Sequence, residues 1–176
     1  MHEELKKYIR SIKDFPVKGI MFRDITTLLK EPEAVNKTLK YLLTFTNGIK
    51  IDKVVGIESR GFIFGSLLAQ KLDVGFIPAR KPGKLPAKTE SETYQLEYGE
   101  DKIEIHKDAI SKGDKVLLHD DLLATGGTAA AAAKLIEKLG GEVVQVSLII
   151  ELTFLNGRKK LKDYSVKSLI TYDSEE

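Results

Sequence analysis

A chain of 176 residues and 19.6 kDa suits one domain, residues 1–176, around one substantial core. Hydrophobic residues make up 42%, charged residues 31%, and the net charge is only +2, a soluble globular composition that argues against a broadly basic partner for nucleic acid or an anionic membrane. The absence of cysteine excludes disulfides and thiolate chemistry, and with no signal-peptide-like start at Met1–Lys7 and no long apolar run, a cytoplasmic protein is expected.

In chain order, Leu5 to Ile12 reads as a short amphipathic helix ended by Phe15-Pro16. Pro32 sits at the first turn of a second helix reaching about Thr46. Lys53–Ile57 is a short buried strand, followed by a helix from about Gly61 to Leu72 and a strand from Val74 to Ala79. Lys115–Leu118 is a third strand, leading through a glycine-containing turn to a helix from about Thr128 to Leu139 that Gly140-Gly141 stops. Val143–Glu151 and Ser165–Ile170 complete the strands. Strands alternating with helices imply an α/β domain whose mostly parallel sheet is covered by helices on both faces.

Arg80–His106 breaks this rhythm with Pro82-Gly83, Pro86 and many charges. A long excursion between core elements points to a lid or binding loop, although composition alone fits a surface hairpin equally well. Its basic start, Arg80-Lys81-Pro82-Gly83-Lys84, and its place after a strand's C-terminal end favour a flexible lid over about 80–106.

The richest stretch runs from Val116 to Thr128, an apolar strand entering Asp120-Asp121-Leu122-Leu123-Ala124-Thr125-Gly126-Gly127-Thr128. Gly126 and Gly127 allow close backbone approach, the amides of the following helix start suit a phosphate, and Thr125 and Thr128 add hydroxyls. Two carboxylates beside an anion site need a task of their own. Hydrogen bonds from two vicinal sugar hydroxyls supply one, so a 5-phosphorylated ribose satisfies Asp120, Asp121 and Ala124–Thr128 together. The plain alternative is an acidic turn with capping threonines. The stretch is neither a Walker A loop nor a dinucleotide fingerprint.

This motif resembles the phosphoribosyl pyrophosphate motif of the type I phosphoribosyltransferases, and its wording is similar to that of the family's adenine-using members. His119 stands where that motif usually has an apolar residue, and we read it as structural. Ile57-Glu58-Ser59-Arg60-Gly61-Phe62 resembles the family's pyrophosphate loop, so Ser59, Arg60, Arg80 and Lys84 become pyrophosphate-binding candidates. Tyr94-Gln95-Leu96-Glu97-Tyr98-Gly99 resembles its mobile catalytic loop, which makes Glu97 the acid–base residue beside Arg60 and Lys84 as catalytic candidates, with Tyr98 covering the site. Gly19-Ile20-Met21-Phe22-Arg23-Asp24 resembles its adenine hood, about residues 1–30. There Phe22 would stack on the base while backbone beside Met21 and Arg23 reads its edge. From the residues alone, a core Phe22 and an Arg23–Asp24 salt bridge is the simpler reading. Ile150-Glu151-Leu152-Thr153 and Gly157-Arg158 continue the match; 162–176 is not diagnostic.

The resemblance implies adenine and phosphoribosyl pyrophosphate as substrates, AMP and pyrophosphate as products, and a place in purine salvage. It also implies Mg²⁺ held mainly through substrate, with no direct protein ligand assigned, and a homodimer. The alternatives are another base (hypoxanthine, guanine, xanthine or orotate) or a non-catalytic regulator that binds phosphoribosyl pyrophosphate. About fifty residues precede the first core strand and carry no helix-turn-helix or basic patch for DNA.

Overall fold

The computed structural model describes residues 2–95 and 99–175. It opens with a 3₁₀ segment at Glu3–Tyr8, then a two-stranded antiparallel ribbon of β1 (Arg10–Lys13) and β2 (Met21–Asp24). The helix expected over Leu5–Ile12 is therefore wrong in its second half. Only Leu5 and Ile9 give this stretch a buried anchor, and the backbone of 10–13 finds partners across the ribbon instead. Tertiary pairing overrides a weak helical pattern here.

Two helices follow, α1 (Thr26–Leu29) and α2 (Pro32–Thr44). Pro32 begins α2, where its missing N–H costs nothing, and Ala34, Thr38, Leu39 and Leu42 form the buried stripe. Next come β3 (Lys53–Ile57), α3 (Gly61–Leu72) and β4 (Gly75–Ala79), within a residue of the expected limits. The hairpin of β5 (Thr89–Gln95) and β6 (Glu100–His106) precedes β7 (Lys115–Leu123), α4 (Gly127–Lys138), β8 (Glu142–Leu152) and β9 (Val166–Tyr172).

Five strands form one parallel sheet in the order β4-β3-β7-β8-β9. The three inner strands β3, β7 and β8 are buried almost continuously, as strands covered on both faces must be, while the edge strands β4 and β9 are buried only in part. On one face α2 and α3 bring Leu39, Leu42, Phe64 and Leu68 against Val54 and Leu117. On the other, α4 supplies Ala132, Leu135 and Ile136 against Val55 and Leu118. The strand order reverses between β3 and β7, and the gap that this leaves at their C-terminal ends is where open α/β sheets bind ligands.

The excursion from Arg80 to His106 is a hairpin anchored in the core rather than a flexible loop throughout. Tyr94, Ile103 and Ile105 are buried with the α4 face, and Arg80 bridges Glu104 at the hairpin's base. Three apolar residues on the inward side of two charged strands suffice for this, because alternation hides them among polar neighbours. Residues 81–88, with the exposed Lys84 and Lys88, form an irregular stretch before the hairpin.

Candidate active site

β7 continues to Leu123, five residues beyond its expected end, so Asp120 and Asp121 belong to the strand and not to the turn. Asp120 still pairs with Leu148 of β8. The turn itself is Ala124-Thr125-Gly126. Gly126 takes φ +77°, a left-handed conformation, and hands the chain to α4. No side chain caps that helix, so the capping role that offered a simpler explanation for Thr128 does not occur. The first-turn amides instead face a cavity of about 90 Å³, lined by Asp120, Ala124, Thr125, Gly126, Gly127 and Thr128 among others. Uncapped amides and the positive helix end make this a cradle whose chemistry suits an anion such as phosphate.

The two carboxylates have different surroundings. Asp120 lines the cradle, and its Oδ1 accepts the Asp121 amide at 2.9 Å. Burial and the neighbouring Asp121 charge push its pKa up. Asp121 is buried, with Oδ2 2.9 Å from Nε of Arg60, and burial raises its pKa against the pull of that guanidinium. Gly61, which opens α3, is pressed against this strand end: a Cβ there would stand 2.9 Å from both Asp120 Oδ1 and the His119 carbonyl. His119 is fully buried beside Ser147, and burial pushes its pKa down to about 3, so it is a neutral core residue, as read from the sequence.

The pyrophosphate candidates converge less than expected. Ser59 is exposed after a cis Glu58–Ser59 peptide, and its carbonyl accepts the Phe62 amide. Arg60 points at Asp121 and lies 4.9 Å over the ring of Phe22. Arg80 donates to both oxygens of Glu58, at 3.1 and 3.3 Å, and to the Lys84 carbonyl. Burial tends to raise the Glu58 pKa, but the Lys81 amide and Arg80 together lower it. Lys81 turns away to Asp101 and Tyr94, while Lys84 is exposed. Of the three cations in 80–84, Lys81 thus turns away, while the charges of Arg80 and Lys84 both act on Glu58. Nearby carboxylates already neutralise Arg80 and Lys81, which a reading of charge spacing alone could not foresee. Leu96, Glu97 and Tyr98 lie outside the described residues, but β5 ends with Tyr94 and Gln95 against Gly127 of the cradle.

A second cavity, about 380 Å³, adjoins the first and is lined by Met21, Phe22, Arg23, Arg60, Ala124 and Thr125 together with Leu152, Phe154, Leu155 and Glu175. Phe15 meets Phe22 edge-on at 5.0 Å. The Arg23–Asp24 salt bridge does not form. Arg23 donates to Ser11 Oγ at 2.5 Å and stacks 3.9 Å over Tyr172, while Asp24 is held by Arg10 and Thr26. Burial works against the Asp24 charge, yet the Thr26 amide and hydroxyl and Arg10 keep its pKa at about 2. Sequence reading missed Leu122, Leu152, Phe154, Leu155 and Glu175 as wall residues. The apolar run past the C-terminal end of β8 was the available signal.

A parallel sheet with a phosphate cradle and an apolar cavity side by side at its switch point defines the class, a phosphoribosyl transferase domain, and the model of the family "Phosphoribosyl transferase domain" matches residues 25–175. A relative in Christiangramia forsetii named adenine phosphoribosyltransferase is 62% identical over 96% of this chain and 99% of its own. One of the same name in Methanococcus vannielii is 56% identical over 97% of this chain and 98% of its own. The crystal structure of adenine phosphoribosyltransferase from Thermoanaerobacter pseudethanolicus, 54% identical, superposes with a TM-score of 0.95 over 98% of this chain and all of that one. The Saccharomyces cerevisiae enzyme, solved with adenine and an imino-altritol bisphosphate, is 42% identical with a TM-score of 0.90, covering 96% of this chain and 98% of its own. The chain belongs to the phosphoribosyl transferase family and, within it, to the adenine phosphoribosyltransferases.

Proposed function

We propose that this protein transfers the 5-phosphoribosyl group from phosphoribosyl pyrophosphate to adenine, giving AMP and pyrophosphate in purine salvage. One observation carries the reading: the cradle and the larger cavity share a wall of Leu122, Ala124 and Thr125. A phosphate in one and a base in the other are then joined by a ribose passing Asp120. The yeast relative was solved with adenine, and a Trypanosoma brucei neighbour with AMP, pyrophosphate and ribose 5-phosphate.

In this mechanism Ala124–Thr128 hold the 5-phosphate, and Asp120 and Asp121 accept the ribose hydroxyls. The C1–pyrophosphate bond breaks as the base nitrogen attacks C1, and the nitrogen's proton leaves with help from Glu97. Phe22 stacks on the base, with backbone at Met21 and Arg23 reading its edge. Arg60, Arg80 and Lys84 meet the growing charge on the leaving group, Arg60 and Arg80 by exchanging their present carboxylate partners for phosphate oxygens. Ser59 offers the loop that faces it. Among the described residues, no three His, Asp or Glu side chains group as a metal cage. Mg²⁺ held mainly through the substrate, beside Arg60, Arg80 and Lys84, would supply charge neutralisation at the leaving group. No helix among the described residues is long and apolar enough to cross a membrane; the proposal includes a cytoplasmic homodimer, checked by sedimentation for a species of twice the chain mass.

The decisive experiment follows pyrophosphate release from phosphoribosyl pyrophosphate and Mg²⁺ with a panel of nucleobases. Adenine is expected to be preferred. Faster turnover of hypoxanthine, guanine, xanthine or orotate overturns the base assignment, and tight ligand binding without turnover favours a regulator. Glu97→Gln is expected to lower kcat by about a hundredfold, within the usual range for acid–base groups, with little change in pyrophosphate binding. An unchanged kcat removes Glu97 from the mechanism.

A further inference from the structure

Behind the phosphate cradle lies a second polar arrangement that touches none of the cavities assigned to substrate. Glu151, near the end of β8, is a buried carboxylate. Arg158 grips it with both arms of its guanidinium, Nε to Oε1 at 2.5 Å and Nη2 to Oε2 at 2.7 Å, and its Nη1 donates to the Val166 carbonyl at 2.9 Å. Ser168 of β9 donates to Glu151 Oε2 at 2.7 Å. Burial alone would raise the Glu151 pKa, but Arg158 and Ser168 lower it, so the group is a charged anchor. Three directions of hydrogen bonding therefore fix Arg158 relative to β8 and β9.

The residue before it, Gly157, backs directly onto the cradle. A Cβ on Gly157 would run into the Ala124 carbonyl and stand 3.1 Å from the Gly126 amide nitrogen. A Cβ on Gly126 would run into the Gly157 carbonyl. The two backbones are in contact with no side chain between them, so any displacement of Gly157 is passed to the turn whose amides must point at the phosphate.

We propose that the Glu151–Arg158 pair is a positioning device for the phosphate turn, acting through Gly157. It contacts no substrate atom; it holds the turn in the conformation that the 5-phosphate needs. The inference rests on the transferase reading above, because it presumes that the cradle takes a 5-phosphate.

The test compares AMP with adenosine, which differ only in that phosphate, by calorimetric titration of the full-length protein. Arg158→Lys keeps the charge but loses the two-armed grip. AMP binding is expected to weaken about tenfold, with adenosine binding within about twofold of wild type. Ser168→Ala removes one bond to Glu151 and is expected to weaken AMP selectively by about threefold, which decides the matter if Arg158→Lys does not fold. Equal losses for AMP and adenosine, or no loss for AMP, overturn the positioning role. Wild-type protein that binds AMP no more tightly than adenosine overturns the transferase reading as well, and so separates the two failures.

Discussion

The phosphate cradle and the base cavity share a wall, yet they are built in opposite ways. The cradle is mostly backbone from one continuous stretch, Asp120 to Ala129. The base cavity is mostly side chains, drawn from the hood at 20–23, from Arg60, from the strand end at 122–125, from 152–155 and from Glu175. A site of backbone amides depends on conformation and tolerates side-chain change as long as the turn keeps its dihedrals. A site of side chains depends on which residues the fold brings together, and each wall residue can be altered singly.

The sharpest way to break this contrast is Gly126→Ala. Alanine is strained at φ +77°, and its Cβ has the Gly157 carbonyl in its way. Moving the turn should cost at least about a hundredfold in kcat/KM for phosphoribosyl pyrophosphate, comparable to losing a preorganised donor site. Adenine binding, read by titration, should stay within about threefold. Wild-type kinetics in this variant would mean that the amides of the turn do not hold the phosphate.

A smaller effect is expected in the other region. Phe22→Ala removes a stacking surface that also meets Phe15 and Arg60. Loss of buried aromatic area and stacking amounts to about 2 kcal/mol, so KM for adenine should rise roughly thirtyfold while KM for phosphoribosyl pyrophosphate changes about twofold or less. If both constants rise together, the two regions are one coupled site and the contrast fails.

The same contrast governs what could be read from the sequence. The cradle was legible because its logic is local: a strand, two carboxylates, two glycines and a helix follow one another within thirteen residues from Val116 to Thr128. β3, α3 and α4 were placed nearly to the residue by apolar runs and glycine stops. The far wall of the base cavity was not legible, since Leu155 and Phe22 are brought together only by the fold. Arg23 shows why nearest-neighbour pairing misleads. In an extended strand adjacent side chains point to opposite faces, so Arg23 meets Ser11 and Tyr172 while Asp24 meets Arg10. The 80–106 segment misled in the other direction. Its many charges masked Tyr94, Ile103 and Ile105, which tie the hairpin to the core, so a tryptic site is expected at Lys84 or Lys88 and not within the strands.

The smallest predicted effect concerns stability, and it bears on how the cradle's one carboxylate is paid for. The Asp120 pKa is raised because burial and the Asp121 charge both disfavour the carboxylate. A raised folded-state pKa means that the folded protein holds this proton more tightly than the unfolded chain does. Below the ordinary aspartate range both states are protonated, and the group makes no difference to stability. As pH rises, the unfolded chain ionises first, and stability falls until the folded-state carboxyl has ionised too. Asp120→Asn is neutral throughout and can keep the hydrogen bond from the Asp121 amide. Its Tm should therefore match wild type at a pH below the ordinary aspartate range and exceed it at neutral and mildly alkaline pH. The same variant should lose about tenfold in affinity for ribose 5-phosphate, since a neutral amide is the poorer acceptor for the sugar hydroxyls. Gain in one measurement with loss in the other identifies Asp120 as a group kept for its ligand at the expense of the fold. A Tm that falls at neutral pH would instead make Asp120 a stabilising member of the strand end, and the task of holding the ribose would pass to Asp121 alone.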